Sequence, residues 1–286
     1  MNEGKNTRLF IKIERNTLPQ VSDRYPFIYL ERGRLEIDDS SVKWIDSEGN
    51  LVRIPVAMLN TILLGPGTSI THEAVKTMTA ANCTVCWVGE DSLLFYAVGT
   101  TPTSDTRNMR HQMELAASPK RRLGVARNMF VQRFPSEDVT SKTLQELMGM
   151  EGKRVKKVYE EMAEKYHVGW KGRSYVPGKF EIGDTTNKIL TACNAALYAL
   201  VTSAIVSLGY SPHIGFVHSG SPLPFVYDIA DLYKEVLCID VAFYLTSEMA
   251  GFYNRHKVAE TFRLRTLQFD LMSRIPRDIK VLLGDS

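Results

Sequence analysis

The sequence predicts an α+β protein in which a β-rich N-terminal domain is followed by an all-α C-terminal domain. Short apolar runs separated by turn-forming residues continue from residue 26 to about residue 98, a pattern typical of strands. Beyond a polar stretch rich in threonine, apolar residues recur with the helical period. A chain of 286 residues is long enough for two domains. We place them at 1–98 and 107–286, joined by a linker at 99–106.

The predicted N-terminal domain contains several short strands and one helix. Segment 47–50, Ser-Glu-Gly-Asn, has the composition of a turn between two strands. Segment 72–81 has the apolar spacing of an amphipathic helix. The predicted strands are 27–31, 34–37, 42–45, 51–54, 61–64, 84–88 and 93–96.

The second domain is predicted to consist of helices. Pro119 suits a first helical turn, and Asp184 suits the capping position before a helix. The predicted helices are 105–117, 119–133, 141–167, 184–208, 222–234, 238–249 and 257–272.

Segment 189–208 carries no charged residue and is nearly as long as a membrane span. It nevertheless contains polar residues such as Thr191, Asn194 and Thr202, and alanine is its commonest apolar residue. We therefore expect a buried central helix of a soluble domain. The first residues lack the apolar core of a signal peptide, so we expect a cytoplasmic protein.

The formal net charge of +3 favours no particular partner, but the basic residues are unevenly distributed. Segment 107–133 contains a single acidic residue, Glu114. Its basic residues are Arg107, Arg110, Lys120, Arg121, Arg122, Arg127 and Arg133. A basic helical stripe favours binding to the phosphate backbone of nucleic acid, although a run of charge is also typical of a solvated helix face.

The four cysteines are Cys83, Cys86, Cys193 and Cys238. The spacing of Cys83 and Cys86 matches half of a zinc site or a redox pair, but no second close pair follows. On a strand, residues three apart point to opposite faces. We therefore predict reduced and mostly buried thiols.

One histidine and two aspartates lie close together near the middle of the helical domain. His218 precedes a turn rich in glycine and proline, and a helix predicted from about Pro222 carries Asp228 and Asp231 on one face. Adjacent carboxylates repel each other unless a cation neutralises them. One imidazole with carboxylate oxygens favours manganese or magnesium over zinc. The alternative is a solvated helix start whose acidic residues interact with the helix dipole.

The pattern Gly-Phe-Val-His218-Ser-Gly-x-Pro-Leu-x-Phe-Val-Tyr-Asp228-Ile-Ala-Asp231 resembles that of the CRISPR spacer-acquisition integrase, the "Cas one" nuclease family, in its type I-E form. The segment Gly149-Met-Glu151-Gly-x-Arg154-Val resembles the other acidic motif of that family. The likeness continues through 66–68, 87–90, 183–185 and 197–198. An ordered set of this length is far more specific than a lone pair of aspartates.

The resemblance implies a set of catalytic residues and a cofactor. Similar proteins hold one divalent ion with residues that match Glu151, His218 and Asp231, and the residue that matches Asp228 lies close by. The implied cofactor is magnesium (Mg²⁺) or manganese (Mn²⁺). The implied reaction is attack by a 3′-hydroxyl of a captured duplex on a phosphodiester of a repeat array. In the alternative interpretation, Glu151 pairs with basic residues of its own helix.

Tyr198 raises a rival mechanism, because a tyrosine can act as a covalent nucleophile in DNA strand exchange. That chemistry also requires arginines and histidines around the phosphate, and the sequence shows no ordered cluster of them. In the resembling family, a matching tyrosine lies beside the active site. The predicted nucleic-acid-binding residues are Tyr198, Lys234, Arg173, Lys120, Arg121, Arg122 and Arg32.

The sequence departs from its resembling relatives at four positions. Ser69 and Leu94 stand where similar proteins carry arginines, Ser221 replaces a lysine, and Arg32 stands where some relatives have an aromatic residue. Ser69 and Leu94 put the DNA contacts of the β-rich domain in question, and Arg32 and Ser221 are expected to alter base discrimination.

The resemblance also implies partners, namely double-stranded DNA, a second copy of the chain joined through the β-rich domain, and a small ferredoxin-like adaptation protein. Two alternatives stay open. One is a metal-dependent nuclease of branched DNA with no role in integration. The other is a non-enzymatic helical DNA-binding module whose acidic residues are structural.

Overall fold

The computed structural model describes residues 23–38, 41–89, 95–99, 106–174 and 183–284. It confirms the predicted fold class, because strands precede residue 100 and helices follow it. Most of the predicted linker, residues 100–105, lies outside the described residues. The division at 99–106 therefore stays a prediction.

The N-terminal region forms two four-stranded sheets around one helix. Strand order is β1-β5-β7-β8 in the first sheet and β4-β3-β2-β6 in the second sheet. The elements are β1 (Tyr25–Leu30), β2 (Gly33–Asp38), β3 (Ser41–Asp46), β4 (Leu51–Ile54), β5 (Leu59–Leu64), β6 (Thr68–Ile70), α1 (His72–Ala80), β7 (Thr84–Val88) and β8 (Phe95–Gly99). Strand β6, with three residues, is too short to have been recognised from the sequence pattern.

The first sheet is covered on both faces, and every residue of β5 is buried. Cys83 belongs to the core formed with α1 and the second sheet, whereas Cys86 belongs to the core formed with the helices. When both faces of a sheet are covered, its strands are apolar at nearly every position, instead of alternating between apolar and polar residues. All four cysteines are buried and unbridged, as predicted.

The C-terminal region is helical and begins with α2. Its helices are α2 (Arg107–Ala117), α3 (Pro119–Arg133), α4 (Leu144–Lys165), α5 (Thr185–Ser207), α6 (Pro224–Ala230), α7 (Asp240–Glu248), α8 (Arg255–Gln268) and α9 (Leu271–Leu283), with a π-helical turn at Glu235–Ile239. Side-chain caps define where several of these helices begin. Thr143 and Glu146 form a capping box before α4, and Asp184 accepts a hydrogen bond from the backbone N–H of Asn187.

Two helical predictions are wrong in extent. The helix predicted at 222–234 spans only Pro224–Ala230, and a turn and the π-helical segment follow it. The helix predicted at 257–272 ends at Gln268, because Asp270 adopts a left-handed conformation with φ of 54°. Helix α9 was not predicted. Pro276 lies inside it, and an internal proline normally predicts a helix break.

Helix α5 is the centre of the molecule. By length and composition it could cross a membrane, but 83% of its most apolar window is buried inside the protein. It packs against β5 of the first sheet and against α6, α7 and α9. This agrees with the predicted buried central helix.

The β-rich and helical regions share one hydrophobic core. Phe27, Leu63 and Cys86 of the first sheet belong to the same buried cluster as the apolar residues of α5. Polar contacts also cross the boundary, because the hydroxyls of Thr84 and Ser203 lie 2.9 Å apart. This packing brings β8 beside the helical site described next.

Candidate active site

A cavity of about 1140 Å³ opens between edge strand β8 and the helical region. Residues 95–98 of β8 form one side of the cavity, and residues of α3, α4 and α5 form the other. Glu151, Tyr198, Asp231 and Lys234, which are far apart in sequence, all line this cavity. The structure therefore gathers these four predicted site residues around one space, whereas His218 and Asp228 are not among the residues that line it.

Asp228 is the buried anchor of the segment that carries His218. Its Oδ2 accepts hydrogen bonds from the backbone N–H groups of Phe216 (2.6 Å) and Val217 (3.2 Å). Its Oδ1 accepts a hydrogen bond from the backbone N–H of His218 at 2.9 Å and lies 2.8 Å from Nδ1 of the same ring. Asp228 therefore fixes both the loop and the imidazole.

The loop before His218 is also held from its other side. A side chain at Gly215 would place its Cβ 2.7 Å from the Cβ of Pro224, so only glycine fits this approach to α6. The Nε of Arg122 donates a hydrogen bond to the carbonyl of Phe216 at 2.8 Å. Arg122, which we predicted to contact DNA, thus turns inward and supports the loop.

The ring of His218 is oriented with Nδ1 toward Asp228 and Nε2 toward Asp231, whose Oδ2 lies 3.7 Å away. The hydrogen bond with Asp228 raises the pKa of His218, burial opposes this shift, and the Asp231 carboxylate adds to it. When the ring is neutral, donation from Nδ1 to Asp228 leaves the lone pair on Nε2. Nε2 is then the nitrogen available to a ligand.

Asp231 lies directly after α6, and its carboxylate contacts a different set of side chains from that of Asp228. The Nζ of Lys234 lies 2.5 Å from its Oδ1, and the Asp231 side chain is only 9% exposed. Burial lowers the pKa of Lys234, but the Asp231 carboxylate and the Tyr198 hydroxyl together outweigh burial and raise the pKa above its ordinary value. The two aspartates contact different nitrogens of the same ring, Asp228 at Nδ1 and Asp231 at Nε2.

Glu151 projects from α4 toward the cavity and pairs with another helix. Nη1 of Arg133, the last residue of α3, lies 2.5 Å from Oε1 of Glu151 and 4.0 Å from Oδ2 of Asp231. The guanidinium also contacts the rings of Phe130 and Phe134, at 5.9 and 5.1 Å from their centroids. The interpretation in which Glu151 pairs within its own helix is therefore wrong.

Arg133 is the site residue that the sequence did not identify. In the sequence analysis Arg133 was one member of the basic stripe, and nothing in the sequence pattern distinguished its role from that of Arg127. The signal that could have distinguished it is its position between two aromatic residues, Phe130 and Phe134, which makes a buried stacked guanidinium plausible.

The side chains of Glu151, His218 and Asp231 are of the types that bind a divalent cation. Among the described residues, no three histidine, cysteine, aspartate or glutamate side chains lie close enough to form a metal-binding group as they stand. Glu151 and Asp231 are instead joined by the guanidinium of Arg133. One imidazole nitrogen and two carboxylates nevertheless match the ligand preference of Mn²⁺ and, less closely, of Mg²⁺. Glu151, His218 and Asp231 are the residues that would hold it.

Tyr198 lies at the wall of the cavity and is not set up as a nucleophile. Burial raises its pKa, and the neighbouring Lys234 opposes the shift. The Nζ of Lys234 lies 5.0 Å from its ring centroid, and Tyr227 packs against it edge to face at 5.0 Å. The sequence showed no cluster of basic residues, yet the structure does gather some around this cavity. Two of them, Lys234 and Arg133, are paired with carboxylates.

The other predicted DNA contacts lie in three different settings. Arg173 lines the cavity, but its guanidinium donates hydrogen bonds to Oδ1 of Asn187 (2.8 Å) and Oγ1 of Thr191 (3.0 Å) at the start of α5. Lys120 and Arg121 are exposed in the first turn of α3. Arg32 is exposed in the turn between β1 and β2, with a φ of 53°, and is not among the residues that line the cavity.

The positions that depart from similar proteins are only partly described. Ser69 is exposed on β6 and pairs in register with Arg34 of β2. The Oγ of Ser221 is buried in the loop after His218 and has no hydrogen-bond partner among the described residues. Leu94 lies outside the described residues.

Comparison with known proteins relates this chain to one family. Residues 27–138 and 130–252 match the family described as CRISPR associated protein Cas1. The CRISPR-associated endonuclease Cas1 2 of Chlorobaculum tepidum is 65% identical over 283 residues, which cover 99% of this chain and 96% of that protein.

Two solved structures are similar to this protein in fold as well. One, a crystal structure of a TtCas1–DNA complex, has a TM-score of 0.67 and 37% sequence identity, and it covers 93% of this chain and 99% of its own. The other, a casposase bound to its integration product, has a TM-score of 0.71 over 91% of each chain. At 16% identity, the second likeness shows the fold alone.

Proposed function

The chain belongs to the CRISPR-associated Cas1 family, and we propose that it is a metal-dependent DNA endonuclease and integrase. In this proposal it inserts short captured duplexes into a CRISPR repeat array by attack of a 3′-hydroxyl on a phosphodiester. A relative that is 65% identical to it is described as a CRISPR-associated endonuclease, and a solved structure with 37% identity contains DNA. The type I-E form of the family stays a prediction.

The observation that carries this proposal is the arrangement of His218 between two aspartates. Asp228 holds Nδ1 at 2.8 Å, and Nε2 faces Asp231 at 3.7 Å. A histidine whose second nitrogen is held by a buried carboxylate is the usual arrangement of a metal ligand. Arg133 joins the same Asp231 to Glu151, so the third predicted ligand faces the same space. A structural helix start would need none of this.

A divalent cation bound by Glu151, His218 and Asp231 would lower the pKa of the attacking hydroxyl and stabilise negative charge on the phosphate. Asp228 keeps the imidazole in the required tautomer and orientation. Lys234, whose Nζ lies 2.5 Å from Oδ1 of Asp231, holds that carboxylate beside the cavity. Tyr198 and Lys234 form the neighbouring wall, where they would contact the DNA end without a covalent bond.

The proposed partners follow from the family and from the position of the cavity. Because β8 forms one wall, a DNA end in the cavity would contact both the β-rich and the helical regions. We propose that a homodimer acts in the cytoplasm with a small ferredoxin-like adaptation protein. The exposed Lys120 and Arg121 would contact the phosphate backbone outside the cavity.

Strand joining on a supercoiled plasmid tests the proposal. Wild-type protein with its adaptation partner should join a labelled duplex to a plasmid that contains a repeat, and Glu151→Gln should not. Glu160→Gln is the matched control, because Glu160 is an exposed residue of the same helix that pairs with Lys156. Joining by Glu151→Gln would contradict the proposed site. Cleavage of branched DNA without joining would support the nuclease alternative, and binding without either reaction would support a DNA-binding module.

A further inference from the structure

Arg133 occupies the position between the two carboxylates that are proposed to hold the cation. Its side chain is 14% exposed, and its Nη1 contacts Glu151 of α4 and faces Asp231 after α6. It is the group through which these two carboxylates, from separate elements, are connected. A guanidinium and a divalent cation would therefore meet the same carboxylate oxygens.

Two protein cations already lie beside the carboxylates proposed to hold the divalent cation. Arg133 and Lys234 lie within 4.0 Å of Glu151 and Asp231, and a further carboxylate, Asp228, lies on the other side of the His218 ring. A divalent cation would face both protein cations in a half-buried setting, where repulsion is stronger than in water. Withdrawal of one of them would strengthen cation binding.

Arg133 is held less closely to Asp231 than Lys234 is. Lys234 lies 2.5 Å from Asp231 and also contacts Tyr198, whereas Arg133 lies 4.0 Å from Asp231 and makes its 2.5 Å contact with Glu151. Arg133 also has a second set of contacts, because its guanidinium lies over the rings of Phe130 and Phe134. These rings can retain the guanidinium after it leaves the carboxylates.

We propose that Arg133 is a positioning residue that holds Glu151 and Asp231 in place without the divalent cation and competes with that cation for both. The inference rests on the proposed function, since it assumes that a divalent cation uses these carboxylates. Loss of Arg133 then has two effects of opposite sign. The metal-free protein loses stability because two poorly exposed carboxylates lose a partner. Cation affinity rises because a competing positive charge is gone.

Arg133→Met tests this with measurements other than activity, because methionine keeps apolar contact with the two rings. The thermal midpoint is measured in EDTA and in saturating Mn²⁺, and the Mn²⁺ dissociation constant is measured by calorimetry. We expect Mn²⁺ to bind at least about tenfold more tightly than to wild type. The thermal midpoint should be lower than that of wild type in EDTA, and Mn²⁺ should remove most of the difference.

Arg127→Met is the matched control. Arg127 lies on the same helix and is partly buried, but its guanidinium donates hydrogen bonds to the carbonyl of Lys142 at 2.7 and 3.1 Å, away from the cavity. This variant should lose the same stability with and without Mn²⁺ and keep the Mn²⁺ affinity of wild type. If Arg133→Met does not fold, Arg133→Gln removes the charge but keeps a donor for Glu151, and its Mn²⁺ affinity should also rise.

The outcomes separate this inference from the proposed function. If wild type binds Mn²⁺ and Glu151→Gln does not, the proposed metal site stands. Unchanged or weaker Mn²⁺ binding by the Arg133 variants would then overturn the role of Arg133 alone, as would an equal loss of stability with and without Mn²⁺. If wild type binds no Mn²⁺, or binds it as Glu151→Gln does, both the metal site and this inference are wrong.

Discussion

The carboxylate of Asp228 lies 2.8 Å from Nδ1 of His218, and its side chain is completely buried. It accepts hydrogen bonds from three successive backbone N–H groups at 216–218. This makes Asp228 the residue that shapes the loop and orients the imidazole. It is not placed to act as a base at the cavity wall.

Asp228→Asn is expected to impair the site without removing a proposed ligand. The amide has one acceptor oxygen in place of two, so some of the backbone N–H groups lose their partner and the imidazole is held less firmly. Strand transfer should fall by about 10- to 100-fold, as is typical when the group behind a metal-binding histidine is changed. Single-turnover rates at saturating Mn²⁺ would measure this. A rate equal to that of wild type would show that the orientation of His218 does not limit the reaction.

Tyr198→Phe is expected to retain measurable strand transfer. Burial raises the pKa of Tyr198, so the phenolate that a covalent mechanism needs is disfavoured. Some loss of rate is expected because Lys234 loses a neighbouring hydroxyl. Denaturing electrophoresis of the wild-type reaction should show no DNA attached to protein. A DNA strand linked to Tyr198 would contradict the metal mechanism.

The exposed pair Lys120 and Arg121 is expected to act through the phosphate backbone. Replacing both with glutamine should reduce the salt dependence of DNA binding, with the slope of log K against log salt falling by about 2. Arg122→Gln is the informative comparison. Arg122 supports the loop before His218, so its replacement should lower the rate of strand transfer more than DNA affinity. Equal salt slopes for wild type and the double variant would place Lys120 and Arg121 outside the DNA contact.

The cysteines are expected to be inert in the native protein. Burial raises the pKa of Cys83 and of Cys238 to about 12. A thiol reagent at pH 8 should therefore modify none of the four cysteines until the protein is unfolded. Because the unfolded thiols ionise near their ordinary pKa of 9.0 and the folded thiols do not, stability should fall as pH rises from about 9 toward 12. Rapid modification of the folded protein would contradict this burial.

The sequence predicted most of the strands, because turn residues separate short apolar runs in the first hundred residues. It also predicted α3 at its observed bounds, where Pro119 follows the capping residue Ser118. The predicted helix bounds are wrong where tertiary contacts override the local sequence pattern. Between the end of α6 at Ala230 and the π-helical turn, Tyr233 donates a hydrogen bond to Asp278 and Lys234 pairs with Asp231. Neither contact is visible in a hydrophobic pattern.

The arrangement of the candidate site could not be predicted from the sequence. The resemblance grouped Glu151, His218 and Asp231 as a hypothesis; in the structure Glu151 and Asp231 line one cavity, and Nε2 of His218 lies 3.7 Å from Oδ2 of Asp231. Helical spacing alone places Asp228 and Asp231 on one face and could not show that Asp228 holds the backbone of the 216–218 loop. The contact between Arg133 and Glu151 joins residues 18 positions apart on different helices, so no local rule could show it.

The most direct test of the account is strand transfer by single variants of the three proposed ligands. Glu151→Ala, His218→Ala and Asp231→Ala should each lower the rate at least about 10³-fold in Mn²⁺, because loss of a ligand removes charge stabilisation at the phosphate. Duplex binding should persist in each variant, and EDTA should abolish transfer by wild type. Full activity of wild type in EDTA, or of Glu151→Ala and His218→Ala in Mn²⁺, would contradict the proposed site.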